Sequence, residues 1–120
     1  MTRLEQLRFI RGQITEEDAL CAIAEEAAEL AQAALKLRRA ITGTNPTPVA
    51  PKTAKDSILE EIADVQGVCD VLLESVTDME TVDEKYEYKL DRWVKRLEKR
   101  DAGMKEITIK KKPKATGGRR

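Results

Sequence analysis

Four carboxylates at two matched spacings carry the chemistry that this chain can be read for. Glu26 and Glu29 stand three residues apart, and Glu61 and Asp64 repeat the step. On a helix that step sets two side chains on neighbouring positions of one surface. Glu61 also falls inside an apolar row, with Ile58 before it and Val65, Val68 and Leu72 after it, all at helical spacing. An ionised carboxylate in such a row costs several kcal/mol unless it is paired, protonated or bound to metal. Two helices that each aim two acids inward describe a divalent-cation site. A site of oxygen donors alone suits a hard cation such as Mg²⁺ or Mn²⁺.

Two competing readings use the same residues. Glu-x-x-Glu is also the pattern of a solvated helix face, and Glu61 could form a buried pair with Arg92 or Lys89. Glu25 and Glu60 precede the inner acids and turn away from them; Glu25, four before Glu29, could serve in an outer shell. The chain has no histidine. That removes Ser–His and Cys–His catalysis, the usual zinc sites and the Glu-x-x-His pattern of di-iron bundles.

Cations at alternating spacing mark a second stripe: Lys85, Lys89, Arg92 and Arg96. They flank an expected core row of Tyr86, Leu90, Trp93 and Leu97. A solvated flank is the ordinary meaning of such a stripe. Beside a metal held by carboxylates it would instead meet phosphate oxygens, with Lys85, Lys89 and Arg92 as the phosphate-binding candidates and Tyr88 next to them.

These groups need helices to hold them. Thr2 with Glu5 predicts a capping box and a short helix to about Arg11, ahead of Gly12. Thr15 with Asp18 predicts a second start, and a helix over 16–41 ending at Gly43. Its expected core row is Leu20, Ile23, Ala27, Leu30, Ala34, Leu37 and Ile41, widened by Ala24, Ala28, Ala31 and Leu35. Ala22, Ala33 and Ala40 share the face of Glu26, so another helix can come close there. The segment 43–51 holds three prolines and predicts a loop. A third helix is expected over 53–76. A fourth is expected over 82–102, with Thr81 and Glu84 in capping-box spacing and Gly103 as its stop.

Composition bounds the rest. Four aromatic residues in 120 leave the core to Leu, Ile, Val and Ala, and 37% charged residues favour helix. The expectation is an all-α domain over 1–102 and a basic, disordered tail over 103–120; a short strand at 107–109 is a weaker one. Net charge is zero but uneven: 15 basic against 21 acidic residues over 1–102, then 7 basic against Glu106 alone. No transmembrane run or signal peptide is visible, and Cys21 and Cys69, without CxxC spacing, read as reduced core or near-core thiols. Together these predict a cytoplasmic protein that does not enter membranes.

Glu25-Glu26-Ala27-Ala28-Glu29-Leu30, followed by Glu60-Glu61-Ile62-Ala63-Asp64-Val65, resembles the MazG-like, all-α nucleoside triphosphate pyrophosphatases. Their pattern is Glu-x-x-Glu, a variable loop, then Glu-x-x-Asp. Tyr88-Lys89-Leu90-Asp91-Arg92 is similar to the basic last helix of smaller members. The connection from Glu29 to Glu61 is long, and Val71 stands where an asparagine is often found. The resemblance implies a bundle of about four helices, paired as a homodimer or homotetramer that completes a base pocket. It also implies Mg²⁺-dependent cleavage of a nucleoside triphosphate to monophosphate and pyrophosphate, with Glu26, Glu29, Glu61 and Asp64 as catalytic metal ligands. The alternative is a non-catalytic helical interaction module, scaffold or antitoxin-like, whose basic tail touches nucleic acid electrostatically.

Overall fold

A computed structural model describes residues 1–43, 49–73 and 76–110, with side chains for all of these except 76 and 106–110. The protein is all-α. Its described helices are α1 (Arg3–Gln13), α2 (Glu16–Thr42), α3 (Pro51–Leu72) and α4 (Val76–Lys110). They divide into two compact units, Met1–Glu74 and Ser75–Arg120.

Local chemistry accounts for the helix ends of the first unit. The Thr2 hydroxyl accepts from the Glu5 N–H at 3.1 Å while Glu5 Oε1 accepts from the Thr2 N–H at 2.7 Å. Thr15 and Asp18 form the same reciprocal box at 3.0 and 3.2 Å. Each box satisfies two N–H groups that a helix start leaves without partners. Only Ile14 and Thr15 separate α1 from α2, so the second box also fixes the corner. At the other end of α2, Gly43 takes φ 69° and donates its N–H to the Arg39 carbonyl; a Cβ in that left-handed conformation would cost about 1 kcal/mol. α3 starts two residues earlier than expected, with Pro51 at a position whose N–H needs no partner. It stops at Leu72, short of the expected 76.

α3 runs back along α2 as a helical hairpin. Ala19, Ala22, Ile23, Glu26, Leu30, Ala33, Leu37 and Ala40 of α2 are buried or half-buried, facing Ala54, Ile58, Glu61, Val65, Val68 and Leu72 of α3. Ala19 and Ala54, near the two ends of the hairpin, are the most deeply buried of the described residues. The expected core row of α2 is therefore corrected. Ile23, Leu30 and Leu37 keep their inward places, but Leu20, Ala27, Ala34 and Ile41 are exposed, as are Ala24, Ala28, Ala31 and Leu35. The apolar arc of α2 is wider than one neighbouring helix can cover, and α3 takes the edge that holds Glu26. Cys21 and Cys69 are free and exposed rather than in or near the core, because each lies beyond the covered arc of its helix.

α1 is tied to the end of α3. Arg11 donates from Nε to the Val71 carbonyl at 2.9 Å and from Nη2 to the Asp70 carbonyl at 2.7 Å. Carbonyls in the last turn of a helix have no partner within it, and their partial negative charge favours a cation.

α4 is longer than expected at both ends. Thr81 is not a cap: its hydroxyl donates to the Thr77 carbonyl inside the helix. Gly103 does not stop the helix either. A mid-helix glycine costs about 1 kcal/mol, too little to end a helix between residues that favour it. Residues 107–109 are helical, not a strand. Tyr86, Leu90, Trp93 and Leu97, the expected core row, are all exposed. The loop residues 44–48 and the tail from 111 onward lie outside the described residues. No described helix is long and apolar enough to cross a membrane.

Replacing Arg11 with alanine should lower stability by about 1–2 kcal/mol in urea unfolding, through loss of two charge-assisted hydrogen bonds. Arg11→Lys should recover part of this, because a lysine cannot present the two-pronged fork to both carbonyls.

Candidate metal centre

The covered arc of α2 brings Glu26 into the seam, and the matching row of α3 brings Glu61 to meet it. Glu29, one turn beyond Glu26, stands at the mouth. One carboxylate oxygen from each of Glu26, Glu29 and Glu61 lies within 4.8 Å of the other two. Glu26 and Glu61 are half-buried and Glu29 is exposed, so the cluster opens to solvent on one side. Oε2 of Glu26 is shielded from solvent and has no hydrogen-bond partner among the described residues. An acceptor left in that condition costs free energy unless something positive meets it.

Burial, then the charges of Glu29, Asp64 and Glu25, push the Glu26 carboxyl above its ordinary range. Glu61 is raised by burial, by Glu29, by a hydrogen bond to Asp64 that favours its protonated form, and by the charges of Asp64 and Glu26. Every influence on either group opposes the ionised form, and none comes from a cation. A hard divalent cation suits this donor set: oxygen only, three carboxylates converging, one oxygen orphaned, and an open side for water or a ligand. Glu26, Glu29 and Glu61 are the residues that would hold it. Asp64 lies beside Glu61 but outside the three-carboxylate group.

The remaining expected site residues, Lys85, Lys89 and Arg92, form an exposed stripe on α4. The Arg92 guanidinium lies over the Tyr88 ring, 5.8 Å from its centre. Lys95 pairs with Asp91 at 3.0 Å on the same helix, with both side chains mostly in solvent.

Two grooves of the first unit lie near the carboxylates, one lined by Asp64 and the other by Glu29 and Glu61. Toward α1 runs an apolar groove of about 350 Å³, lined by Leu7, Ile10, Ala22, Ala63 and Val68, with Asp64 among its walls. In the other direction lies a polar cleft of about 510 Å³, where Gln32, Lys36, Arg39 and Ser57 join Glu29 and Glu61. Lys36 and Arg39 escaped the reading of the sequence. The signal was there: Glu29, Gln32, Lys36 and Arg39 continue the stripe of Glu26 at steps of three and four. Compared with protein-family models, curated proteins and solved structures, the chain has no match in any of the three.

The raised carboxyls set a pH dependence. The folded chain holds more protons than the unfolded chain as pH rises from 4.5, the ordinary value for these groups, through their raised values. Stability contributed by these two groups is therefore largest in acid and falls as pH climbs through that window. In metal-free protein, Glu61→Gln should melt higher than wild type at neutral pH, with the difference shrinking toward pH 4.5. Thermal melts of both proteins across the range check this; a constant difference would rule out the electrostatic origin.

Proposed function

We propose that the protein is a divalent-cation-dependent nucleoside triphosphate pyrophosphohydrolase, releasing a nucleoside monophosphate and pyrophosphate. The observation that carries this reading is the convergence of Glu26, Glu29 and Glu61 at one point of the α2–α3 seam. It brings together three of the four acids that the resemblance to MazG-like enzymes requires, with Asp64 beside Glu61 but outside the group. Mg²⁺ is the proposed cation, with Mn²⁺ as a substitute; when bound it neutralises phosphate oxygens and eases deprotonation of water.

The chain's own residues divide the work. Glu26, Glu29 and Glu61 gather negative charge and would hold the cation between them. The oxygen of a water attacks the α-phosphorus, the bond from that phosphorus to the α,β-bridging oxygen breaks, and pyrophosphate leaves with that oxygen. The water's proton goes to a carboxylate, since the chain has no histidine. Asp64, beside Glu61 and outside the three-carboxylate group, would be the acceptor. The apolar groove toward α1 offers the non-phosphate end of a substrate a surface without charge apart from Asp64.

Pyrophosphate release from a panel of ribo- and deoxynucleoside triphosphates, with and without Mg²⁺, tests the reading. Turnover should need the metal. It should fall at least about 100-fold in Glu61→Gln, because even outer-sphere partners of a metal are worth about 10–100-fold. Turnover that survives in that variant would remove Glu61 from the site. Silence across the panel with no Mg²⁺ binding would favour the interaction module, and silence with Mg²⁺ still bound would point to another substrate or a non-catalytic nucleotide binder.

The homo-oligomer implied by the same resemblance is supported by the uncovered faces of the hairpin. Leu20 is 51% exposed, Leu35 56% and Ile41 66% on α2, and Leu59 is 52% exposed on α3. Such a run of apolar surface is what an obligate interface covers. Light scattering should give a dimer or tetramer for the wild type and a smaller species for Leu35→Asp.

A further inference from the structure

We infer that the polar cleft beside the carboxylates is the seat of the distal phosphates, with Lys36 and Arg39 of α2 as their ligands. The assignment rests on the metal-dependent phosphohydrolase reading above. It departs from the sequence reading, which gave that role to the α4 stripe.

Three features of the first unit carry it. The cleft is continuous with the carboxylates, since Glu29 and Glu61 line it together with Lys36 and Arg39. The cations are also available. Neither forms an ion pair among the described residues, and neither has an acid three or four positions away on α2. They stand three apart from each other, a spacing at which like charges repel. The dipole of α2 accounts for Arg39, which stands in its last turn, but not for Lys36 one turn earlier, which also lacks the i−4 acid that Lys95 has in Asp91.

Direction is the third feature. Side chains on a helix lean toward its N-terminus, so Lys36 and Arg39 lean back along α2 toward Glu29. Lys36 is two turns beyond Glu29, about 10 Å along the axis, and Arg39 is about 15 Å away. A phosphate chain anchored at the carboxylates would meet first the amide of Gln32, then the ammonium, then the guanidinium fork, which suits terminal phosphate oxygens. Ser57 takes no part as a donor, because its hydroxyl already donates to the Thr53 carbonyl at 3.2 Å. Glu29, Glu60 and Glu61 also line the cleft. A bare anion would be repelled at that end, so phosphate should enter only with a divalent cation. The substrate would then lie with its leaving pyrophosphate toward the C-terminal end of α2 and its nucleoside toward α1.

Calorimetric titration of inorganic pyrophosphate into the full-length protein, with and without Mg²⁺, tests this. Wild type should bind it only with Mg²⁺. K36A/R39A should bind it at least about tenfold more weakly, the effect of losing charged hydrogen-bond donors, with unchanged helical circular dichroism. K36R/R39K should retain most of the affinity, and K89A/R92A should bind as wild type does. Undiminished binding by K36A/R39A, a loss confined to K89A/R92A, or no binding by wild type with Mg²⁺ would each overturn the assignment. Failure of the underlying metal reading shows separately: Mg²⁺ titrated alone would then bind neither to wild type nor to K36A/R39A. Retained Mg²⁺ binding alongside undiminished pyrophosphate binding in K36A/R39A would leave the metal centre standing and remove only the cleft.

Discussion

Like charges are held together in a seam that hydrophobic contact would otherwise close. Glu26 and Glu61 each occupy a position of the row where α2 meets α3, among alanines, valines and isoleucine. Their repulsion and desolvation act against the hairpin, and both carboxyls are raised above their ordinary range as a result. The hairpin tolerates this because its neighbours are small: Ala22 and Ala33 flank Glu26, so the helices approach closely and the carboxylates occupy the space that remains. A leucine at either position would make a tighter core and no cluster.

The rest of the first unit serves that pair. Reciprocal caps at Thr2 and Thr15 define where α1 and α2 begin, and the left-handed turn at Gly43 ends α2. Arg11 reaches across to the last carbonyls of α3 and fixes α1 against it. With α1 held there, its apolar residues line a groove that includes Asp64, while the opposite side of the carboxylates carries the cations of the polar cleft. The order along the hairpin is thus apolar, acidic, then basic. A nucleotide with a metal on its phosphates would present the complementary order, an uncharged base, a cation and then anionic phosphates, which is the fit behind the proposed reading.

The hairpin covers little of its own apolar surface. Only Ala19 and Ala54 are fully buried among the described residues, and α2 keeps a long exposed run of alanine and leucine. Burial of so little area offsets only a small part of the entropy of ordering the chain. The proposed self-association would supply the missing burial and would use the part of the apolar arc of α2 that α3 leaves exposed.

What the sequence determined by itself was local. Capping boxes, the glycine stop of α2 and the three-residue steps of Glu26–Glu29 and Glu61–Asp64 depend on neighbours within one helical turn, and each was legible because hydrogen-bond and spacing rules act at that range. Glu61 was legible for the same reason, as a charge inside a periodic apolar row. The ends of α4 were misread, because a threonine cap and a glycine stop are weak preferences that surrounding helix formers outweigh. Tertiary structure decided what no local rule contains: which edge of the wide apolar arc on α2 meets α3. That choice left Leu20, Ala27, Ala34 and Ile41 in solvent and placed Glu26 against Glu61. It also brought Lys36 and Arg39 to the rim of the same cleft. Alanine-rich faces are nearly equivalent in hydrophobicity, so only the packing of one whole helix against another separates them.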